Sequence, residues 1–226
     1  DVGTPIRNVA YLHDGAGHVT KLEAASVFNP GYGLSINDGA LYTNIPTVTL
    51  DLSWGVETPS IEQMKIANDG GFSDSEGWIA VEPQRNGWVL DTYGDYLIAR
   101  TVFAKFRDVY GQQYGPVQDD IIYDPISPSR PAVEILETAA GETQVIVRVH
   151  ATDDNSGVDI IQISEDGTFA DPKEFPATGA VTEIDHITEE GQWIYVRVID
   201  RAGNRSLISK MEVITDHRVF LPLVVQ

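Results

Sequence analysis

Ile161-Gln162-Ile163-Ser164-Glu165-Asp166-Gly167-Thr168-Phe169 is a short apolar and polar alternation that runs into an Asp-Gly turn and stops on an aromatic ring. Met64-Lys65-Ile66-Ala67-Asn68-Asp69-Gly70-Gly71-Phe72 has the same form 161 − 64 = 97 residues earlier. Upstream, Thr47-Val48-Thr49-Leu50-Asp51-Leu52-Ser53 and Gln144-Val145-Ile146-Val147-Arg148-Val149-His150 stand at the same offset, 144 − 47 = 97. Downstream, Phe103 to Gly111 matches Tyr195 to Gly203 at 200 − 108 = 92, so the second copy is 97 − 92 = 5 residues shorter in a loop. Self-similarity at a fixed spacing identifies tandem domains before any side-chain chemistry is weighed.

Each repeated block reads as a strand. Val48, Leu50 and Leu52 alternate with Thr49, Asp51 and Ser53, as a half-buried strand requires. Val145, Val147 and Val149 do the same, as do Val102, Ala104 and Phe106, and Ile194, Val196 and Val198. Asp69-Gly70 and Asp166-Gly167 supply turn chemistry, since glycine adopts positive φ at little cost, and Asp108-x-x-Gly111 and Asp200-x-x-Gly203 close their strands with a turn. Helix signals are nearly absent; Lys21 to Ser26 is compatible with one helical turn that Asn29-Pro30-Gly31 stops. Short strands between Gly, Asp, Asn and Pro turns predict an all-β chain of two tandem antiparallel β-sandwiches.

The boundaries follow from the repeat. Residues 35–124 form the first sandwich and 125–217 the second, joined by the proline-rich Asp124-Pro125-Ile126-Ser127-Pro128-Ser129-Arg130-Pro131. Residues 218–226 form an apolar tail. Residues 1–34 are an N-terminal β extension in which Asn8 to Leu12 and His18 to Leu22 predict a hairpin around Asp14-Gly15-Ala16-Gly17. That hairpin is expected to pair with the first sandwich or with a neighbouring molecule.

The motifs also carry a resemblance. Ile163-Ser164-Glu165-Asp166-Gly167-Thr168-Phe169, followed by a strand ending Arg197-Val198-Ile199-Asp200-Arg201-Ala202-Gly203-Asn204, resembles the immunoglobulin-like or fibronectin-type-III-like β-sandwich modules of secreted bacterial proteins. The first copy departs from that pattern at Ala67, at Lys105 and at Tyr110-Gly111-Gln112. The resemblance implies an extracellular or cell-surface location and a non-catalytic structural or adhesive role. It brings no catalytic residues.

Composition narrows the function classes. Of 226 residues, 34 are acidic and 15 basic, for a formal net charge of −19, which repels nucleic acid and anionic lipid. With no cysteine, neither a disulfide nor a thiolate metal site nor a cysteine nucleophile is available. No apolar run approaches the ~18 residues that span a bilayer. The chain opens on Asp1 and not on Met, and the expectation is of a processed or trimmed protein. No G-x-S-x-G, H-E-x-x-H or phosphate-loop pattern occurs, so no catalytic residue is expected. His13 and His18 flank the hairpin turn but lack the third ligand a zinc site needs.

Three constellations remain as candidates. Asp119, Asp120 and Asp124 near the joint, with Asp153 and Asp154 in an interstrand loop, offer hard oxygens for calcium as a cofactor. Trp54, Trp78 and Trp88, with Tyr93 and Tyr96, weight the first copy with aromatics and suggest glycan stacking, against core packing as the alternative. Val219, Phe220, Leu221, Leu223 and Val224 of the tail form a candidate donor strand that would complete a sheet in another copy. The expected partners are other surface proteins, copies of this chain, or glycans.

Overall fold

The computed structural model describes residues 6–13, 19–26, 31–55, 60–92, 98–136, 144–188 and 191–213. The chain divides into two compact units, 1–126 and 127–226. Among the described residues there is no α-helix, only a 3-10 turn at Asn37–Gly39.

The first unit opens with a hairpin of β1 (Ile6–His13) and β2 (Val19–Ser26), paired antiparallel as a two-stranded sheet of its own. The helical turn allowed for Lys21 to Ser26 is therefore replaced by strand. A full cross-strand ladder outweighs a weak local preference, because strand formation is decided by the neighbour. The sandwich itself contains β3 (Gly33–Ile36), β4 (Tyr42–Thr43), β5 (Thr47–Ser53), β6 (Ile61–Ala67), β7 (Ile79–Ala80), β8 (Gln84–Val89), β9 (Ala99–Asp108) and β10 (Gln113–Tyr123). One sheet has the order β3-β5-β8 and the other β4-β10-β9-β6-β7. Their inward residues interleave: Ile36 and Leu50 from the first sheet are fully buried, as are Met64, Phe106 and Ile121 from the second. Each fully buried side chain of this size contributes about 1.5–3 kcal/mol.

The second unit repeats the plan with β11 (Ala132–Leu136), β12 (Gln144–His150), β13 (Val158–Ser164), β14 (Lys173–Pro176), β15 (Val181–Ile187), β16 (Trp193–Asp200) and β17 (Ser209–Glu212). Its sheets run β11-β12-β15 and β14-β13-β16-β17. Val145, Val147, Ile161, Ile163, Ile194 and Val196 form the centre of its core.

The duplication extends to single hydrogen bonds. Met64 faces Phe106 and Ile161 faces Val198, at the same two offsets of 97 and 92. A register shift falls between Ile61 and Gln63 in β6 and between Val158 and Ile160 in β13, which is one β-bulge inherited twice. The amide of Phe72 donates to the Asp69 carbonyl at 3.0 Å, and that of Phe169 to Asp166 at 3.4 Å. Lys105 Nζ then sits 4.2 Å above the Phe72 ring, and the Arg197 guanidinium 4.1 Å above Phe169. Not every pairing is shared: β5 and β8 carry a register shift between Val48 and Leu50, whereas β12 and β15 pair without interruption.

Candidate functional site

The acidic residues divide by what already holds them. Asp153 opens the loop between β12 and β13, and its Oδ1 accepts the amides of Asn155 at 3.1 Å and Gly157 at 2.7 Å. Gly157 closes that turn at φ 82°, and Arg201 Nη1 donates to the Ser156 carbonyl at 2.9 Å. Asp200 ends β16, buried at 2% exposure; its Oδ1 accepts the Asn204 amide at 2.8 Å and its Oδ2 accepts Asn204 Nδ2 at 2.9 Å. These two turns bring one oxygen of Asp153 and one of Asp200 within 4.8 Å of each other. Both carboxylates stay engaged by N–H donors, which offsets their mutual repulsion.

The calcium expectation also included Asp119, Asp120, Asp124 and Asp154. Asp119 and Asp120 belong to β10, not to the joint, and both are buried. Asp119 Oδ2 accepts the Ile36 amide at 2.8 Å, which ties β10 to the facing strand β3. Asp124 is fully buried at the end of the first unit, where its Oδ1 accepts the Ile126 amide at 3.0 Å. Asp154 is exposed. Sequence reasoning took Asp200 as a turn former and missed it as a neighbour of Asp153. The signal was the Asp-x-x-Gly ending, which also stands at Asp108.

The three tryptophans of the first unit are each half-buried and each engaged. Trp54 and Trp88 pack against the core, with the Trp54 ring 6.1 Å from that of Phe106. Trp88 Nε1 donates to Asn68 Oδ1 at 2.9 Å. The Trp78 ring lies 4.5 Å beneath the Arg107 guanidinium. In the second unit Trp193 is 39% exposed, with Lys210 Nζ 3.9 Å above its ring. Tyr93, Tyr96, His18 and the tail residues Val219, Phe220, Leu221, Leu223 and Val224 lie outside the described residues.

A depression of about 460 Å³ on the outer face of β11, β12 and β15 is lined by Ala132, Glu134, Arg148, His150, Val181 and Glu183. Arg148 is already paired with Glu183 at 2.6 Å and Glu134 at 3.4 Å. Its charge is therefore neutralised in place. Among the described residues no helix is long and apolar enough to cross a membrane.

No family model matches the chain, and no curated protein sequence matches it. Solved structures do. The fibronectin(III)-like modules of Clostridium thermocellum CbhA are similar at TM-score 0.51 and 13% identity, over 80% of this chain and 94% of theirs. The FN1-FN3 domains of chicken CNTN1 give 0.46 and 11%, over 87% and 69%. The D00-D0 domain of Intimin gives 0.34 and 11%, over 82% and 100%. At such identity the likeness is one of fold.

Proposed function

We propose that this chain, a tandem pair of fibronectin-type-III-like or immunoglobulin-like β-sandwiches, is a non-catalytic extracellular module that positions or adheres within a bacterial surface or secreted protein. The observation that carries this reading is the duplication itself. The second unit repeats the first down to its bulge and its turn hydrogen bonds, so what has been kept is scaffold. A fold alone does not assign function, and the tryptophans and arginines described above are engaged in packing and ion pairs. Antibody labelling of intact producing cells tests the location. Signal on unbroken cells supports the reading, and signal only after lysis removes it.

A second reading has its own support. The β1–β2 hairpin is a two-stranded sheet among the described residues, and such hairpins are marginal in water without a third strand. Assembly by strand donation would supply one, in a head-to-tail contact that builds a fibre. Negative-stain microscopy of the protein with and without residues 216–226 separates the two. Fibres lost on truncation make the tail a donor strand; discrete particles in both samples leave the spacer role alone.

Calcium, if it binds, has its protein oxygens at Asp153 and Asp200, where two carboxylates already converge. A thermal melt with added calcium checks this. A raised midpoint that Asp153→Asn abolishes supports binding, and an unchanged midpoint ends it.

A further inference from the structure

Beside β12 the second copy departs from the first in kind. In the first, Val48 of β5 faces Trp88 of β8 and Thr47 faces Val89. In the second, Val145 of β12 faces His186 of β15 and Gln144 faces Ile187. Val89 and Ile187 are both exposed, so the two registers agree. His186 therefore stands where the first copy has Trp88, and Thr188 stands where it has the buried Leu90. Asn68, which accepts the Trp88 N–H, becomes Glu165 at the offset of 97. An imidazole, a hydroxyl and a carboxylate replace an indole, an isobutyl group and an amide.

His186 is 2% exposed and Thr188 5%. Among the described residues neither ring nitrogen of His186, nor Thr188 Oγ1, has a hydrogen-bond partner. The inward residues of the neighbouring elements are apolar: Val133 of β11, Val145 and Val147 of β12, Ile194 and Val196 of β16. Two charged groups act on the ring, Lys173 of β14 and Glu165 of the turn after β13. Glu183 and Asp185 of β15 lie on its exposed face. Burial first, and then Lys173, hold the imidazole below its ordinary value of 6.5, with Glu165 pulling the other way.

We propose that His186 makes the second sandwich acid-sensitive: neutral, it packs into the core from the inward face of β15, beside Val145 of β12, and protonated it leaves that position and loosens β15, with Glu165 as the carboxylate that favours the charged ring. The sign follows from linkage. The unfolded chain takes up the proton near the ordinary value while the folded ring resists it. Stability is therefore complete above about 6.5 and falls as pH drops below it, by up to about tenfold in the folding equilibrium per pH unit, until the folded ring itself protonates. Trp88 gives the first sandwich no such group.

Hydrogen exchange on the full chain at pH 7.5 and 5.5, corrected for intrinsic rates, tests this. The amides of β12 and β15 should lose protection by up to about tenfold while those of β5 and β8 keep theirs. His186→Leu should flatten the loss and Glu165→Gln should deepen it. Because His186→Leu can fail to fold, the His186 ring is also followed by NMR in the unaltered protein, where it should titrate below an ordinary histidine. A ring that titrates at the ordinary value with protection unchanged overturns the proposal, as does an equal loss in His186→Leu. A Glu165→Gln variant identical to the parent removes Glu165 from it.

Discussion

Phe72 and Phe169 hold φ at 59° and 55°, a left-handed conformation that bulky side chains adopt only under constraint. Strain of that kind costs on the order of 1–3 kcal/mol, and it is offset by burying each ring beneath a cation. Phe169→Ala should therefore lower the stability of the second unit by about 3 kcal/mol, read from urea unfolding followed by Trp193 fluorescence. Arg197→Ala should cost only about 1 kcal/mol, as expected for a partly exposed cation over a ring. Asp200→Ala strips the Asn204 amide of its acceptor and should cost about 1–3 kcal/mol, with Asp108→Ala acting likewise on the first unit. At this scale the Asp-x-x-Gly turns were legible, because their chemistry is local. His186 was not: a histidine in an alternating strand reads as readily outward as inward. Its burial is set by register against Val145, which no local pattern carries.

Gly115 interrupts the pairing of β9 and β10, where the register shifts between Tyr114 and Val117. Its φ is 99°, and a Cβ there would lie 3.1 Å from both the Ala104 carbonyl oxygen and the Val117 nitrogen. Backbone cannot retreat as a side-chain tip can. Gly115→Ala should thus destabilise the first unit by at least about 1 kcal/mol, measurable by denaturation followed through its three tryptophans. Strands β5, β6, β9, β12 and β16 were legible from alternation, since each has a buried face and a more open one; β13 was legible from Ile161 and Ile163, although Gln162 and Ser164 on its other face are buried as well. The two-residue strands β4 and β7 were not, because so short a segment shows no period. Strand β2 was legible only in its first half: His18 to Leu22 reads as a hairpin strand, whereas Lys21 to Ser26 reads as a helical turn because its composition carries no sign of the ladder that β1 supplies.

At the scale of the molecule, a net charge of −19 is spread over two small cores. Raising sodium chloride from about 20 mM to about 500 mM shortens the reach of that repulsion and should raise the thermal midpoint by a few degrees. Acid should act in two steps. The second unit weakens first, as pH falls below about 6.5, for the reason given for His186. In the first unit the Ser73 hydroxyl, with the amides of Ser73 and Asp74, holds the Asp69 carboxylate at about 2, below its ordinary 3.8. That contribution is present above 3.8 and disappears only as pH falls towards 2. Circular dichroism across that range should show two transitions, and a single one near pH 4 would refute the separation. Duplication was legible at this scale because it needs only self-comparison, whereas a partner leaves no internal echo. Self-similarity has a last consequence, for a chain emerging from the ribosome. Neighbouring domains of one topology risk exchanging strands while both are unfolded. The extra residue of the β5–β8 pairing lies in β8, where Asn86 and Gly87 stand against Thr49 alone, and β5 itself alternates without a break, as β12 does. A β15 laid beside β5 would therefore keep Thr182 and Ile184 on the inward face, so register does not bar the exchange. The two halves of this self-similar polypeptide are kept to their own strands by folding one after the other as they are made.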